Sequence, residues 1–369
     1  KYKYEVGVGK LVYQPSLSIT EFIDYELIKG VFKLDVFQSM KTHIARYFKH
    51  PYIQFLMEFP VLFLGALPEN TPALYSLMNY ADIKGGTWYP EHGMYSIVKG
   101  MHALAVSLGV EFKLGEEVTK IEVINGVAKK AYTRVVETKE NRAYDFDIIV
   151  GAGDYHHIET VLLEPAYQSY SKKYWDTRVM APSSLLYYVG LNKKLEGVLH
   201  HQLFFDTDFG LHGHEIYSDP KWPTRPLFYA SVPSVTDPTV APEGCENLFL
   251  LIPIAAGLEG DTEEIRDQYF EMIIQRFEER IGQSIRSSIV YKRSFAVKEF
   301  KEDYHSFRGN AYGLANTLLQ TANLKPSCKS KKVNNLYYTG QLTVPGPGVP
   351  PSLISGEVVA KLVNQKHKA

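Results

Sequence analysis

Hydrophobic positions recur along this chain with two different periods, and the change of period divides it. From residue 19 to about residue 67 the spacing is helical, anchored by Phe22, Leu27, Phe37, Ile44, Phe48, Phe55 and Leu56. Pro51 and Pro60 interrupt that run, because proline removes an N–H and clashes with the preceding turn. Residues 1–20 lack the period and read as extended, with a strand over 10–13. Thr71-Pro72-Ala73 sets an N-cap before a first-turn proline, which predicts a helix over 73–82. Another helix is predicted over 94–108, closed by Gly109.

The period then falls to two. Residues 110–114, 117–124 and 127–136 alternate as strands, with Asn125-Gly126 as a two-residue hairpin turn. Residues 147–150 form a short buried strand. From 183 to 253 the chain is mostly β, most clearly at 185–191, 227–232 and 248–253. An amphipathic helix over 265–281 follows, with Glu263 and Glu264 as helix-start carboxylates. Residues 289–300 return to β. The chain closes on a buried strand at 336–339, a Pro/Gly turn from Pro345 to Pro351, and a helix over 352–362.

Composition narrows the function classes. A chain of 369 residues suggests roughly two domains, and 45% hydrophobic with 22% charged residues allows a large core. Net charge is −1, so no global field draws the protein to nucleic acid. Cys245 and Cys328 give no disulfide framework and no ligand spacing, which suits a reducing compartment. The 26 Tyr and 19 Phe suit an apolar cavity. The apolar runs at 60–67 and 248–258 fall far short of the ~20 residues that span a bilayer. The expectation is a cytoplasmic protein, soluble or attached to a membrane surface.

Several motifs carry little chemistry. His156-His157 and His200-His201 are adjacent pairs, not the i, i+4 spacing of helix-borne ligands. His212 and His214 lack a completing Cys or carboxylate, so no metal is expected. Gly7-Val8-Gly9 and Gly151-Ala152-Gly153 imitate a dinucleotide fingerprint. Both lack the third small residue, and no ribose-binding acid follows the second, so both read as structural turns. The closing segment is more informative. Gly340 ends a strand without a side chain, the prolines stiffen the turn, and a helix N-terminus follows. That suits an anionic or carbonyl-rich ligand.

Asn335-Leu336-Tyr337-Tyr338-Thr339-Gly340-Gln341-Leu342-Thr343-Val344-Pro345-Gly346-Pro347-Gly348-Val349-Pro350-Pro351-Ser352-Leu353-Ile354-Ser355-Gly356 closely resembles the C-terminal signature of the bacterial-type phytoene desaturases. These are FAD-dependent carotenoid desaturases of the amine-oxidase-like flavoprotein superfamily. Their usual Gly-Ala-Gly-Thr-His-Pro-Gly is here Gly340-Gln341-Leu342-Thr343-Val344-Pro345-Gly346. Trp88-Tyr89-Pro90-Glu91-His92-Gly93-Met94 resembles the family's aromatic-Pro-x-Gly-Gly turn, with His92 in place of the first glycine. Asp237-Pro238-Thr239-Val240-Ala241-Pro242-Glu243-Gly244-Cys245 resembles the phytoene desaturases in particular. Ala152-Gly153-Asp154 matches the family's return to the flavin domain.

The resemblance implies an α/β (α+β mixed) two-domain fold of the FAD-dependent amine-oxidase type. It would hold a Rossmann-type FAD domain lacking its first βαβ unit and a β-sheet and helical substrate domain. The implied division is a helical cap at 1–84, FAD-domain segments at 85–165 and 304–369, and a β-rich substrate domain at 166–303. FAD is the implied cofactor. Val118 would meet its adenine through the main chain, and Gly340, Gln341, Gly348, Val349 and Pro350 would lie along the flavin. Asp24 and His92 are candidates for proton handling, His92 equally a substituted turn residue with a surface imidazole. The implied activity is dehydrogenation of phytoene toward lycopene by hydride transfer to flavin. Alternatives are a carotenoid ketolase, isomerase or hydroxycarotenoid desaturase, or a non-catalytic isoprenoid-binding protein. The implied partners are a carotenoid and a membrane surface, which residues 44–67 would either touch or merely cap. The family's N-terminal glycine fingerprint has no counterpart, so a partial sequence is expected, with little FAD affinity and no activity in isolation.

Overall fold

A computed structural model describes residues 1–18, 21, 34–35 and 37–366. Phe22, Asp24 and Leu27 lie outside the described residues. The largest element is a five-stranded antiparallel sheet. Ten strands are described: β1 (Glu116–Ile124), β2 (Val127–Val135), β3 (Asn141–Asp145), β4 (Ile149–Gly151), β5 (Ser183–Leu191), β6 (His201–Phe204), β7 (Phe228–Ser231), β8 (Glu246–Ile254), β9 (Ile289–Phe295) and β10 (Leu336–Tyr338). The large sheet runs in the order β6-β7-β8-β5-β9. Strict alternation along β8 sends Leu248, Leu250, Ile252 and Ile254 to one buried face. That face receives Tyr269, Phe270, Ile273, Ile274 and Phe277 of the helix Glu263–Ile281. Thr262 caps this helix by accepting from the Ile265 N–H, and left-handed Gly282 ends it. Buried Arg266 clamps it from the side, donating to Asp261 at 2.6 and 2.8 Å and to Glu299 at 2.9 and 2.8 Å.

A smaller unit carries the hairpin. β1, β2 and β3 form an antiparallel sheet, and Asn125 and Gly126 both hold positive φ at the turn. β4 and β10 pair in parallel, Leu336 opposite Ile149 and Tyr338 opposite Gly151. Asn335 stitches the two sheets together. Its Oδ1 accepts from the Ala128 N–H at 2.8 Å, and its Nδ2 donates to Ala128 O at 2.8 Å and Asp147 O at 2.6 Å. Beneath β10, Tyr338 stacks on Tyr155 with ring centres 3.9 Å apart and donates to the buried Glu159 carboxylate.

Two expected strands are absent and a third ends early. Residues 2–11 are helical: an α-turn at Tyr2–Val6 runs into a π-turn at Gly7–Leu11, so Gly7-Val8-Gly9 is no turn. Lys3 explains the docking, because its ammonium meets Ala73 O at 3.0 Å and Asp35 at 2.9 Å. Residues 110–114 pair with no strand among the described residues, and Val110, Phe112 and Leu114 are exposed. β9 ends at Phe295, and 297–304 is a helix in place of the expected strand. There the Glu299 carboxylate accepts from the Ala296 N–H at 2.7 Å and locks the first turn. The last helix begins at Val349 and reaches Lys366, because Pro350 and Pro351 fit a first turn whose N–H groups need no partner.

Asn335→Ala would remove the side-chain partner of the buried Ala128 N–H and O and of the Asp147 O nearer the surface. Urea unfolding should show a loss of about 3 kcal/mol; an unchanged midpoint would show that Asn335 does not hold the sheets together.

Candidate functional site

Both parallel strands end on the same side, and a cleft opens there. Two cavities line up along it. One, of about 510 Å³, is walled by Glu117, Val118, Ile121, Ile149, Ile158 and Leu162 among others. The other, of about 480 Å³, is walled by Ser306, Asn310, Thr339, Gly340, Gln341 and Ser352 among others. Ala152, Gly153, Asp154 and Tyr304 belong to both walls, so the two cavities are continuous. The first half is largely apolar; the second, the more polar half, carries a larger polar share from Asn310, Thr339, Gln341 and Ser352 on a wall that is still mostly apolar. Ligands gather at the carboxyl ends of parallel strands because the backbone N–H groups beyond them lose their ladder partners. A β-bulge at Thr119 brings Val118 to the rim. Gly151 has no room for a side chain: a Cβ would lie 2.7 Å from Ile158 Cδ1.

The polar side chains have fixed tasks. Asp154 caps the short turn after β4, accepting from His157 N–H at 2.9 Å and from Phe307 N–H at 3.1 Å. Burial raises its carboxyl above the usual range despite those bonds. His157 and His305 stack with ring centres 4.1 Å apart, and His305 Nε2 lies 3.7 Å from Glu117. His157 titrates below the ordinary value, through burial first and the facing His305 second. His156 lies flat on Phe307 at 4.0 Å and edge-on to Trp175. Burial lowers it to about 4, with neighbouring His157 adding to the effect.

A third, apolar cavity of about 60 Å³ lies between the helical cap and the large sheet. Phe59, Leu203, Phe205, Phe209, Tyr217 and Tyr312 contribute to its wall. Ala311 lines the polar half of the cleft and the next residue, Tyr312, lines this cavity. The two spaces therefore abut across one stretch of backbone. His212 serves the wall structurally: its Nε2–H donates to Pro253 O at 2.9 Å, and its Nδ1 accepts from Leu227 N–H at 3.0 Å.

Of the residues singled out in the sequence, Val118, Gly340 and Gln341 line the cleft. Gly348, Val349 and Pro350 sit exposed at the start of the last helix, outside both linings, while Ser352 one turn on is within. Gly151-Ala152-Gly153, read as a structural turn, is the floor of the cleft. His92 is exposed with φ of 65° and docks on a distant loop, its N–H donating to Asp237 at 2.8 Å and its Nδ1 meeting Thr239 Oγ1 at 3.1 Å. This joins the two motifs at 88–94 and 237–245, which are far apart in sequence. Tyr304 and Asn310 were missed. Tyr304 ends the helix 297–304, whose apolar residues Val297, Phe300 and Tyr304 recur at a helical spacing that the β reading of 289–300 overlooked, and no local signal marks Asn310.

Residues 33–364 match the family model for flavin-containing amine oxidoreductases. The chain belongs to that family. It is 39% identical over 97% of its length to a carotenoid 3,4-desaturase of Haloarcula japonica, covering 71% of that protein. It is 26% identical over 98% of its length to a zeta-carotene-forming phytoene desaturase of Myxococcus xanthus, covering 69% of it. Among solved structures, an oxidoreductase from Methanosarcina mazei aligns with a TM-score of 0.60 at 15% identity, covering 93% of this chain and 75% of that one. The protein is thus an FAD-dependent oxidoreductase of the carotenoid desaturase group, a class acting on CH–CH bonds. The cleft fits the cofactor. Its apolar half suits an adenine beside Val118, its more polar half suits a ribityl chain and the edge of a ring, and Gly340 leaves the backbone open to a ligand. No Lys or Arg lines either cavity among the described residues.

His156 supplies a pH test. Its folded value of about 4 lies below the ordinary 6.5, so the unfolded chain binds more protons between those values. Stability should fall by about 1–3 kcal/mol as pH drops through that window. In His156→Phe this part of the acid limb should flatten in denaturation scans; an unchanged limb would assign it to other groups.

Proposed function

We propose that this protein desaturates a long acyclic carotenoid near its end, removing two hydrogens across a C–C bond. The observation that carries the reading is the shared wall at Ala311 and Tyr312, which sets an apolar cavity against the polar half of the FAD cleft. A hydrocarbon offers no hydrogen-bonding handle, so recognition rests on shape and apolar area. Bound FAD supplies the two-electron acceptor that no side chain can replace. The chain's own residues exclude water and orient the substrate: Phe59, Phe205 and Phe209 wall the cavity away from solvent. A cavity of about 60 Å³ holds a methyl branch and not a forty-carbon chain, so the cap and sheet must part on binding. Tyr217 places in this wall a buried hydroxyl with no hydrogen-bond partner among the described residues. That polar point suits a substrate whose end carries oxygen.

Two bond positions compete. Identity of 39% to a carotenoid 3,4-desaturase, against 26% to a phytoene desaturase, favours the 3,4 bond. The Asp237–Cys245 resemblance favours the phytoene-to-lycopene reading. The protein, purified with FAD at its full natural length, should be given phytoene, lycopene and a hydroxylated acyclic carotenoid in separate vesicles. The expected result is a longer-wavelength product from the hydroxylated or lycopene-type substrate, with the hydroxylated preference reduced at least threefold in Tyr217→Phe. Conversion of phytoene alone would return the assignment to lycopene formation. No conversion of any of them would leave the isoprenoid-binding alternative.

The same reading includes peripheral attachment to a membrane, the source of such a substrate. Among the described residues no helix is long and apolar enough to cross one. Tyr52 is 76% exposed and Leu56 60% exposed on the cap helix Pro51–Glu58, with Tyr47 exposed on the preceding helix. An aromatic and aliphatic cluster of this kind enters the headgroup region without spanning. Co-sedimentation with neutral phosphatidylcholine vesicles should fall severalfold in Tyr52→Ser/Leu56→Ser. Equal binding would move the contact elsewhere.

A further inference from the structure

One face of the large sheet is sealed and the other is not. Leu185, Tyr187, Leu250 and Ile252 belong to the core under the helix Glu263–Ile281 and are buried. Their neighbours along each strand point the other way, because side chains alternate. Strand pairing sets five of those neighbours in one line across all five strands. Leu203 stands opposite Tyr229, Tyr229 opposite Leu251, Leu251 opposite Leu186, and Leu186 opposite Phe295. Leu203 is 37% exposed, and the other four are half-buried. With neighbouring strands about 4.8 Å apart, the row is roughly 19 Å long.

Each end of the row meets a cavity. At one end Leu203, Tyr229 and Leu251 line the apolar cavity. At the other the Phe295 ring packs edge-on against Phe300 at 4.9 Å and lies 6.2 Å from Tyr304, and those two rings line the more polar half of the cleft. A second aromatic line flanks the row: Phe249 lies 5.4 Å from Tyr188 and 6.4 Å from Tyr229, and Tyr188 is 42% exposed. The row carries no charge. Its single hydroxyl, on Tyr229, is engaged by His201 Nδ1 at 2.5 Å. A peptide or an anion would find little to bond with on these side chains, whereas a long hydrocarbon needs only apolar area. The apolar cavity, at about 60 Å³, takes only the tip of such a chain, so the remainder needs an apolar surface continuous with it.

We propose that the row from Leu203 to Phe295 is the bed for the body of a long acyclic hydrocarbon whose end enters the apolar cavity. This rests on the carotenoid reading of the site. The row meets the cofactor cleft at Phe300 and Tyr304, and the cavity abuts that cleft at residues 311 and 312. A chain lying on the row therefore runs alongside the cofactor. Leu186 and Phe295 are positioning residues, which hold the chain by apolar contact alone. Discrimination by length follows, because a short isoprenoid fills the cavity without reaching Leu186.

The protein, purified with FAD at its full natural length, should be loaded from cyclodextrin with squalene, a long acyclic isoprenoid hydrocarbon, or with myrcene, a short one. Retained hydrocarbon is measured by gas chromatography. Leu186→Ser/Phe295→Ser should hold squalene roughly tenfold more weakly, with myrcene and FAD binding unchanged. Tyr188→Trp, a change at an exposed site, supplies a readout that does not depend on the double variant folding. Its added emission should shift to the blue with squalene and stay unchanged with myrcene. Unchanged squalene affinity in the double variant, or no shift in Tyr188→Trp, overturns the bed while the carotenoid reading stands. Equal weakening of squalene and myrcene also overturns it, because that marks damage to the cavity. A double variant that only turns a dimer into a monomer in sedimentation makes this face a contact between copies and overturns the bed. A parent protein that retains neither hydrocarbon overturns the carotenoid reading and the bed with it.

Discussion

Two strands of three residues, β4 and β10, run in parallel and end side by side, and the cleft depends on that register. Beyond Gly151 and Tyr338 the ladder stops, and the following turns carry backbone groups that the strands no longer use. A ladder this short has little stability of its own. It persists because its surroundings determine it. Asn335 ties its base to β2 and the 147 carbonyl, and Tyr338 is held from below by Tyr155 and Glu159. Asp154 ties the turn after β4 to the Phe307 segment. The cleft is therefore held open by buried polar clamps, each of which would be costly to break.

The large sheet follows a different logic. Its core is apolar alternation packed on one amphipathic helix, with Arg266 as a side clamp. Its functional value lies at the margin, where residues 311 and 312 pass from the cleft to the apolar cavity. An enzyme acting on a hydrocarbon needs those two environments in contact, one polar enough for a cofactor edge and one dry enough for the substrate. Residues 311 and 312 lie in a bend, so neighbouring side chains reach the two spaces from one short stretch of backbone. The docking of His92 on Asp237 joins the turn before the 95–107 helix to the connection between β7 and β8 of the large sheet.

Periodicity carried the sequence reading where burial is one-sided. The hairpin at Asn125-Gly126, the alternation of β8 and the helix over 263–281 were legible because each has one wet face and one dry face. Motif resemblance carried the family, the cofactor and the positions of Val118, Gly340 and Gln341. The β reading of 289–300 ran past Phe295 into a helix, although Val297, Phe300 and Tyr304 recur at helical spacing; Glu299, bonded to the Ala296 N–H and to Arg266, fixes its first turn. Elsewhere local pattern failed where a tertiary partner decides. Residues 2–11 have a weak pattern of their own, and Lys3 docked on Ala73 and Asp35 settles their form.

What the sequence by itself determined is therefore local and chemical: which segments have an apolar face, where the chain must turn, and which motif belongs to a flavin-binding family. The tertiary structure alone decided which distant groups meet. Tyr304 reaches both halves of the cleft, His156 lies on Phe307, and Leu203 and Phe295 end one row across five strands. No spacing rule marks such residues, because each lies in a segment of ordinary composition. Their chemistry comes from desolvation and from partners brought together by the packing of whole elements, and both are properties of the folded chain.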